Sequence, residues 1–313
     1  MVGISKVARY DILTFGDMCV DFIVTGDDLV PEFCQVEKLV SNYVIEMGGS
    51  CCIFACQAAR LGLKVVIMGC VGDDIFGEVV IRRLMEWGVD TSYVRIDPNI
   101  KTGMGIALCQ NNDRAILTYL GSLNAVDPTD VTDDILSLAR HLHHGSYFLH
   151  TRLRPHIPTI FTRARKLGLS ISLDTNWDPD EKWGKELAEI LPMVDIFMPN
   201  ERELQGITDG KDLADCISRI HQMGTPLITI KQGEKGALVS DGSSVKRCSV
   251  KPASGGDSIG AGDSFDAGFL AGWLRNLPIE QSLKIGCECG RLVAGAIGGI
   301  VGQPTWEEVK QCI

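Results

Sequence analysis

The stretch SCCIFACQAARLGLKVVIMGCVGDDIFGEVVIRRLMEWG, residues 50–88, decides the fold class. Ser50–Leu61 sets small and apolar residues at helical spacing and stops at Gly62. Lys64–Val71 (KVVIMGCV) is a β-rich apolar run, and Ile75–Trp87 is an amphipathic helix pattern closed by Gly88. A continuous apolar strand between two helices is the unit of a parallel sheet, in which both faces of each strand are covered.

The same rhythm extends outward. Asp11–Gly16 (DILTFG) reads as a strand, and further strands are expected at Ser146–His150, Leu169–Asp174, Asp195–Met198 and Leu227–Lys231, with helical segments between them. A helix over Ala261–Leu274 follows a glycine-rich turn, and Ile279–Ala296, rich in Gly and Ala, forms another that should pack closely. Two regions break the pattern: Val20–Met47 and Thr102–Leu120 read as strands without helices between them. Gly105–Cys109, Asn111-Asn112-Asp113 and Ala115–Tyr119 give a hairpin signal. The expectation is one α/β domain over residues 1–313, Rossmann-like, with a mostly parallel sheet and helices on both faces. A small β lid would be built from segments at about 18–47 and 100–122. A static β extension is the alternative to a lid. No linker, internal repeat or low-complexity segment interrupts the chain.

Composition narrows the partners. Hydrophobic residues make up 45% and charged residues 22% of 313, an ordinary globular mixture that supports a sizeable core. A formal net charge of -10 repels phosphate backbones and anionic lipid, so neither nucleic acid nor membrane is an expected partner. A few local N–H groups can still bind a small phosphate. The twelve cysteines run from Cys19 to Cys312 with no CxxC pair. Cys51, Cys52 and Cys56, and likewise Cys287 and Cys289, sit in small-residue helical stretches, as buried thiols in a reducing compartment do. The start, MVGISKVARYDILTFGD, has no signal-peptide core, and no run approaches the about 20 apolar residues of a membrane span. A cytoplasmic location is expected.

The chemistry concentrates in Gly255-Gly256-Asp257-Ser258-Ile259-Gly260-Ala261-Gly262-Asp263, which runs straight into the helix from Ser264. A glycine-rich turn at a helix N-terminus leaves N–H groups unpaired, and with the helix dipole they attract phosphate oxygens. An aspartate there can take the proton of an attacking hydroxyl, as phosphoryl transfer to an alcohol requires. The plainer reading is that Asp257 and Asp263 cap the helix. Gly256–Gly260 also fits GxSxG, the nucleophile elbow of α/β-hydrolases, but that fold needs a histidine after the serine and the last one here is His221. No GxxxxGK[ST] occurs, and no GxGxxG follows a strand.

Asp257–Asp263 (DSIGAGD) resembles the C-terminal signature of the PfkB, or ribokinase-like, family of carbohydrate and nucleoside kinases. Asn200-Glu201-Arg202-Glu203 resembles its NxxE motif, and Lys231-Gln232-Gly233-Glu234-Lys235-Gly236 its GxxG nucleotide segment. Gly48-Gly49 with the helix ending Arg60-Leu61-Gly62 resembles the N-terminal signature, and Gly16-Asp17 with Asp21 the entry strand. These matches fall in family order over roughly residues 11–304. The resemblance implies an ATP-dependent kinase that phosphorylates a hydroxyl of a small sugar-like substrate. Asp263 would be the base, with the N–H groups of Gly260, Ala261 and Gly262 stabilising charge on the moving phosphoryl group. Asn200 and Glu203 would position the triphosphate and Mg²⁺, Glu203 through water. Asn176 would serve on the phosphate side, and Lys231, Gly233 and Gly236 would line the nucleotide groove. Asp17, Asp21, Gly48 and Gly49 would hold the substrate. Asp257, the Ile259 carbonyl and Gly302 match ligands of the monovalent cation, K⁺, that the family often binds. The β lid could also pair two copies as a homodimer.

The pattern has departures. Ile53 stands where the N-terminal signature usually carries asparagine, and Ser50 replaces the ribokinase-type lysine after Gly-Gly, which puts ribose in doubt. His141, His143, His144 and His150 fall close together, but their mixed parity along a strand turns them to different faces. His150, at the expected ligand end, is the substrate-contact candidate. Arg152 and Arg154 are expected to face water, although an acidic sugar is a conceivable partner. Trp177 and Trp183 could stack on a sugar or close the core. The rival functions are a nucleoside kinase on the same scaffold and a non-catalytic sugar- or nucleotide-binding regulator; the latter has no need of Asp263.

Overall fold

Thirteen strands and ten helices make up the regular structure of residues 8–110, 113–253 and 255–313, the parts that the computed structural model describes. The strands are β1 (Tyr10–Gly16), β2 (Cys19–Thr25), β3 (Asn42–Gly48), β4 (Val65–Gly72), β5 (Asp90–Asp97), β6 (Gly103–Gln110), β7 (Asp113–Tyr119), β8 (Ala139–His144), β9 (Ser170–Leu173), β10 (Ile196–Phe197), β11 (Leu227–Lys231), β12 (Ala237–Ser240) and β13 (Val245–Cys248). The helices are α1 (Ser50–Arg60), α2 (Ile75–Glu86), α3 (Asp133–Leu136), α4 (Ile157–Lys166), α5 (Leu187–Ile190), α6 (Glu201–Thr208), α7 (Leu213–Gln222), α8 (Ala261–Trp273), α9 (Ile279–Ala294) and α10 (Trp306–Val309).

Nine strands form one sheet in the order β13-β12-β11-β10-β9-β8-β1-β4-β5, in which β12 alone runs antiparallel to its neighbours. β4 is buried at every position, as a strand covered on both faces must be. Alternation along β1 sends Ile12 into the core under α1, α8 and α9, and Leu13 and Phe15 into the core under α4, α6 and α7. The mostly parallel sheet between helices is the architecture the apolar runs predict.

The pattern-breaking regions form a second sheet, β3-β2-β6-β7, in which β2 and β6 run parallel. Strand register places Ile45, Phe22, Ile106 and Leu117 in one row across one face. Asp21 sits on the opposite face, in a row with Glu46, Gly105 and Thr118. Glu46 accepts two hydrogen bonds from Arg83, at 2.9 and 3.1 Å, which ties this sheet to α2. The expected hairpin appears as β6 and β7; Asn111 and Asn112 of its turn lie outside the described residues.

One expected strand is corrected. Residues 146–150 hold a 3-10 turn, Tyr147–Leu149, entered through Ser146 at φ 53. The strand is instead the preceding ARHLHH, Ala139–His144. Its histidines are buried, because His141 and His143 both hydrogen-bond the Ser172 hydroxyl of the neighbouring strand at 2.8 Å. Tyr147 and Phe148 look like strand residues but fill the core through the turn. β5 and the β12–β13 pair, which lack a strong apolar alternation, are additions to the sequence reading. All twelve cysteines are free thiols. Among the described residues no helix is long and apolar enough to cross a membrane.

Candidate active site

The candidate site lies at the carboxyl ends of β1, β9 and β11, where the N-termini of α1 and α8 meet. α8 starts at Gly260, with φ 70 and no side-chain cap. A side chain at this position would meet Gly299 and Ile53 at 2.8 Å, so glycine is required by both conformation and space. Of the three expected N–H donors, that of Ala261 has a long contact, 3.4 Å, with the Ser258 carbonyl. The helix end is otherwise left to its dipole.

Asp263 stands in the first turn of α8, half-buried. Enclosure of its carboxyl, together with the negative charges of Asp174 and Asp17, pushes its pKa up to about 7; Lys231 and a hydrogen bond from Ser50 oppose the rise. It can therefore exchange a proton near neutrality, the range a general base needs.

Lys231 ends β11 against this turn: a Cβ on Gly262 would lie 3.7 Å from its Nζ. The ammonium donates to Asp174 at 2.6 Å and to Asp266 at 3.2 Å. Burial alone would lower its pKa, but the two carboxylates hold it above the usual lysine range. Burial pushes the Asp266 carboxyl well up, against the pull of Lys231. Lys231, read from the sequence as a lining of the nucleotide groove, is thus also the centre of an ion triad beside the glycine turn.

Asn200 and Glu203 form a reciprocal cap on α6. The Asn200 side chain accepts from the Glu203 N–H at 2.9 Å, and Glu203 Oε2 accepts from the Asn200 N–H at 2.8 Å. Burial and Asp174 push Glu203 up to about 7, with Lys231 opposing. Gly233 has open space about it, whereas a Cβ on Gly236 would lie 2.0 Å from the Cys248 carbonyl oxygen, so Gly236 lets the chain close onto β13.

Asp17, read from the sequence as a substrate contact, is buried. Its carboxylate accepts from the N–H groups of Ser50 (2.7 Å) and Cys51 (3.1 Å) and from the Ser146 hydroxyl (2.9 Å). It caps α1 in place of Gly49, whose side chain could not do so. Asp21 differs. Gly48 and Gly105 clear space around it, since a Cβ on either would come within 2.6 Å of its carboxylate. Burial, Asp17 and Asp263 push it up to about 7. His150 is buried with both ring nitrogens unpartnered, Nε2 lying 4.0 Å from Asp17. It fits only because residue 16 is glycine, where a Cβ would lie 2.2 Å from the ring. Arg114 of β7 reaches the Ser258 hydroxyl at 2.6 Å and the Asp257 carbonyl at 3.3 Å, joining the second sheet to the glycine turn.

Asp257 is braced within the turn region by the N–H groups of Ile259 and Gly298, both at 2.9 Å. A Cβ on Gly302 would meet Leu292, Val293 and Ala296 at the end of α9. Among the described residues no cluster of His, Cys, Asp and Glu is arranged to hold a metal. Trp183 covers Gly206 and Phe148 and so closes the core, while Trp177 meets it edge-on from an exposed position. Arg152 pairs with Asp127, and Arg154 with Glu186.

Sequence reasoning missed Asp174, Asp266 and Ser146, and treated Ser50 only as a departure. Asp174 and Asp266 carried a signal: one carboxylate directly follows an apolar strand and the other lies inside a helix of apolar and small residues, and a buried carboxylate needs a partner. Ser146 carried none.

Comparison with known proteins gives the family and the fold. A 6-phosphofructokinase described as ATP-dependent, from Thermoanaerobacterium thermosaccharolyticum, is 25% identical over 96% of this chain and 93% of its own. An ATP-dependent ribose-1-phosphate kinase of Halopiger xanaduensis is 30% identical over 80% of this chain and 81% of its own. A putative ribokinase II of E. coli, solved with ATP and Mg²⁺, superposes with a TM-score of 0.85 over 97% of this chain and 98% of its own, at 23% identity, and shares the fold. Residues 9–306 match the family model described as pfkB family carbohydrate kinase. With nearly its whole length matched, and with the signature turn folded as an uncapped helix start beside Asp263, the chain belongs to the PfkB family of carbohydrate kinases.

Proposed function

We propose that this kinase transfers the γ-phosphoryl group of ATP to a hydroxyl of a small sugar or sugar-like molecule, with Asp263 as general base and the Gly260–Gly262 turn as anion hole. The carrying observation is Asp263 itself, at the open N-terminus of α8 with a pKa of about 7. The acceptor hydroxyl approaches from the Asp21 side and gives its proton to Asp263 as the new O–P bond forms. Charge on the moving phosphoryl group meets the helix dipole and the turn N–H groups. Asn176, Asn200, Glu203, Gly233 and Gly236 fit the nucleotide side, and Asp21, Gly48, Gly49 and His150 the acceptor side. The uncapped helix end suits a phosphate, and Glu203, with Oε1 not needed by its cap, suits Mg²⁺ held through water; that ion would neutralise phosphate oxygens.

The chain acts as one catalytic unit, with residues at about 18–47 and 100–122 as its lid. The bond from Arg114 to Ser258 supports this reading, because it draws the second sheet over the site. Asp257 and the Ile259 carbonyl suit a K⁺ ion that would order the turn. ADP release is the test, measured with ketoses, aldoses, sugar acids, inositols and nucleosides as acceptors. At least one acceptor should raise ADP release far above the acceptor-free rate, more so in K⁺ than in tetramethylammonium at equal ionic strength. A nucleoside as best acceptor would select the nucleoside-kinase reading. No acceptor-dependent ADP would reject catalysis in favour of a binding role, and equal rates in the two salts would remove the cation.

The lid sheet also suits a homodimer. Its outer row exposes Ile45 and Leu117, flanked by Tyr43 and Tyr119, all at least 42% exposed. A second copy seated on this face would remove that apolar surface from water. Light scattering should give twice the chain mass, and Leu117→Asp combined with Ile45→Asp should halve it. A monomer at all concentrations excludes the dimer.

A further inference from the structure

Resting on the reading of the Asp21 side as the acceptor side, we infer that the acceptor is an uncharged polyhydroxy compound, and that Asp21 selects it by charge against sugar acids and sugar phosphates.

The face of the second sheet that carries Asp21 lies over the turn before α8. Ile23 is two residues along β2 on that face, and Glu46 stands across from Asp21 on β3. A Cβ on Gly298 would lie 3.6 Å from Glu46 and 3.8 Å from Ile23. The Gly298 N–H donates to Asp257 at 2.9 Å, within the turn that leads to Asp263. Both strands beside β2 carry glycine next to Asp21. A Cβ on Gly48 would lie 2.4 Å from each carboxylate oxygen, and one on Gly105 would lie 2.6 Å from Oδ1. Glycine inside a strand gives up packing and marks a place of close approach. Among the described residues the hydrogen-bonding contact of this carboxylate is the Cys19 thiol, at 4.0 Å. An ionised carboxylate accepts hydrogen bonds and donates none, so what it is left to meet must donate, as hydroxyls do.

The charges around Asp21 are mostly of its own sign. Burial, then Asp17 and Asp263, push its pKa up to about 7, and Asp257 adds to them while Arg114 opposes. The cations within reach of an acceptor are engaged. Arg114 is held on Ser258 and the Asp257 carbonyl, and Arg83 on Glu46. Arg152 and Arg154, the side chains that an acidic sugar would call on, pair with Asp127 and Glu186. Lys231 is shared by Asp174 and Asp266. His150 is buried, and burial holds its pKa below the usual histidine range, so it brings no positive charge. A carboxylate or phosphate on the acceptor would therefore add a like charge to a partly enclosed acidic site. Hydroxyls supply the donors that Asp21 takes without that penalty. The helix end that suits the phosphoryl donor, with its dipole and turn N–H groups, has no counterpart beside Asp21.

The test measures ADP release by the full chain at pH 8 with matched acceptors: glucose against gluconate, ribose against ribonate, inositol against an inositol phosphate, and fructose against a fructose phosphate. In each pair that is used, kcat/KM for the neutral member should exceed that for the anion by at least a hundredfold, the effect of one like charge about 5 Å from a carboxylate at an effective dielectric of about 20. Asp21→Asn should narrow the ratio to about tenfold, since one of the like charges is gone. Lowering the pH through about 7 protonates Asp21 and should narrow it in the sugar and sugar-acid pairs of the unsubstituted enzyme. Titration of Asp263 acts on both members of a pair and cancels in the ratio. If Asp21→Asn does not fold, that pH dependence carries the test. Preference for an anionic member, or a ratio that neither Asp21→Asn nor pH changes, overturns the inference while leaving phosphoryl transfer intact. No acceptor-dependent ADP with any compound overturns phosphoryl transfer instead. Calorimetry with the same pairs then decides the inference: binding of neutral members alone upholds it, and binding of the anions or of neither overturns it.

Discussion

Asp263→Asn is expected to lower kcat by about 10²–10⁴-fold, the usual worth of a general base, or about 3–5 kcal/mol at about 1.36 kcal/mol per decade. The acceptor hydroxyl is a poor nucleophile while it keeps its proton, and an amide of the same size cannot take it. The turn N–H groups and the nucleotide side do not depend on that carboxylate, so ATP affinity by calorimetry should change little. Folding should not suffer either, because the substitution removes a carboxylate whose charged form the site already disfavours. In the unsubstituted enzyme kcat should rise as pH passes about 7, where Asp263 becomes charged, and the variant's residual rate should lack that rise. Near-normal turnover would refute the assignment. Lost ATP binding would show instead that Asp263 mainly holds the turn and helix start together.

Lys231→Met should be the most damaging single change to stability. It leaves Asp174 and Asp266, both buried, without their cation. Removing one member of a buried ion network costs about 3–5 kcal/mol. The sign of the pH dependence follows from the carboxylates. Burial raises the Asp266 pKa in the folded state, and loss of Lys231 removes the main opposing influence. Such a group is accommodated when protonated, at pH below its unfolded value, and its charged form weighs against folding as pH rises. The deficit in urea denaturation should therefore be large at pH 8 and shrink toward pH 5. A constant deficit across that range would mean lost packing rather than unpaired charge. Because the triad packs against the glycine turn at Gly262, turnover should fall even where the variant is fully folded.

Much of the fold was legible because it rests on burial from both sides. The strands β1, β4 and β11 are mostly apolar and buried at nearly every position, and no surface strand would be. The reading failed at residues 139–150, where apparent polarity misled. His141 and His143 are core residues because Ser170 and Ser172 across the strand satisfy their rings. That fact belongs to a pairing between segments far apart in the chain. The same limit explains the site. Asp263 and its turn are contiguous and could be read directly. Asp174, Lys231 and Asp266 come from three elements, and their meeting is a property of the sheet order. Asp17 shows the same limit: that its carboxylate caps α1 through the Ser50 and Cys51 N–H groups depends on where a distant helix starts.

In the nine-stranded sheet, β1 joins β8 along a seam where Tyr10 faces Ala139, the pairing most distant in sequence. Loop closure makes such a contact slow to form compared with the neighbouring pairs, which join successive parts of the chain. Asp17 and Ser50 lie on the amino-terminal side of that seam; Ser146, Asn176, Lys231 and Asp263 lie on the other. Neither side of the seam carries Asp263 together with Asp17 and Ser50. The hydrogen bonds from Asn176 to Ser50 and from Ser146 to Asp17 are stitches across the seam. The site therefore exists only once the two sides of the seam have docked.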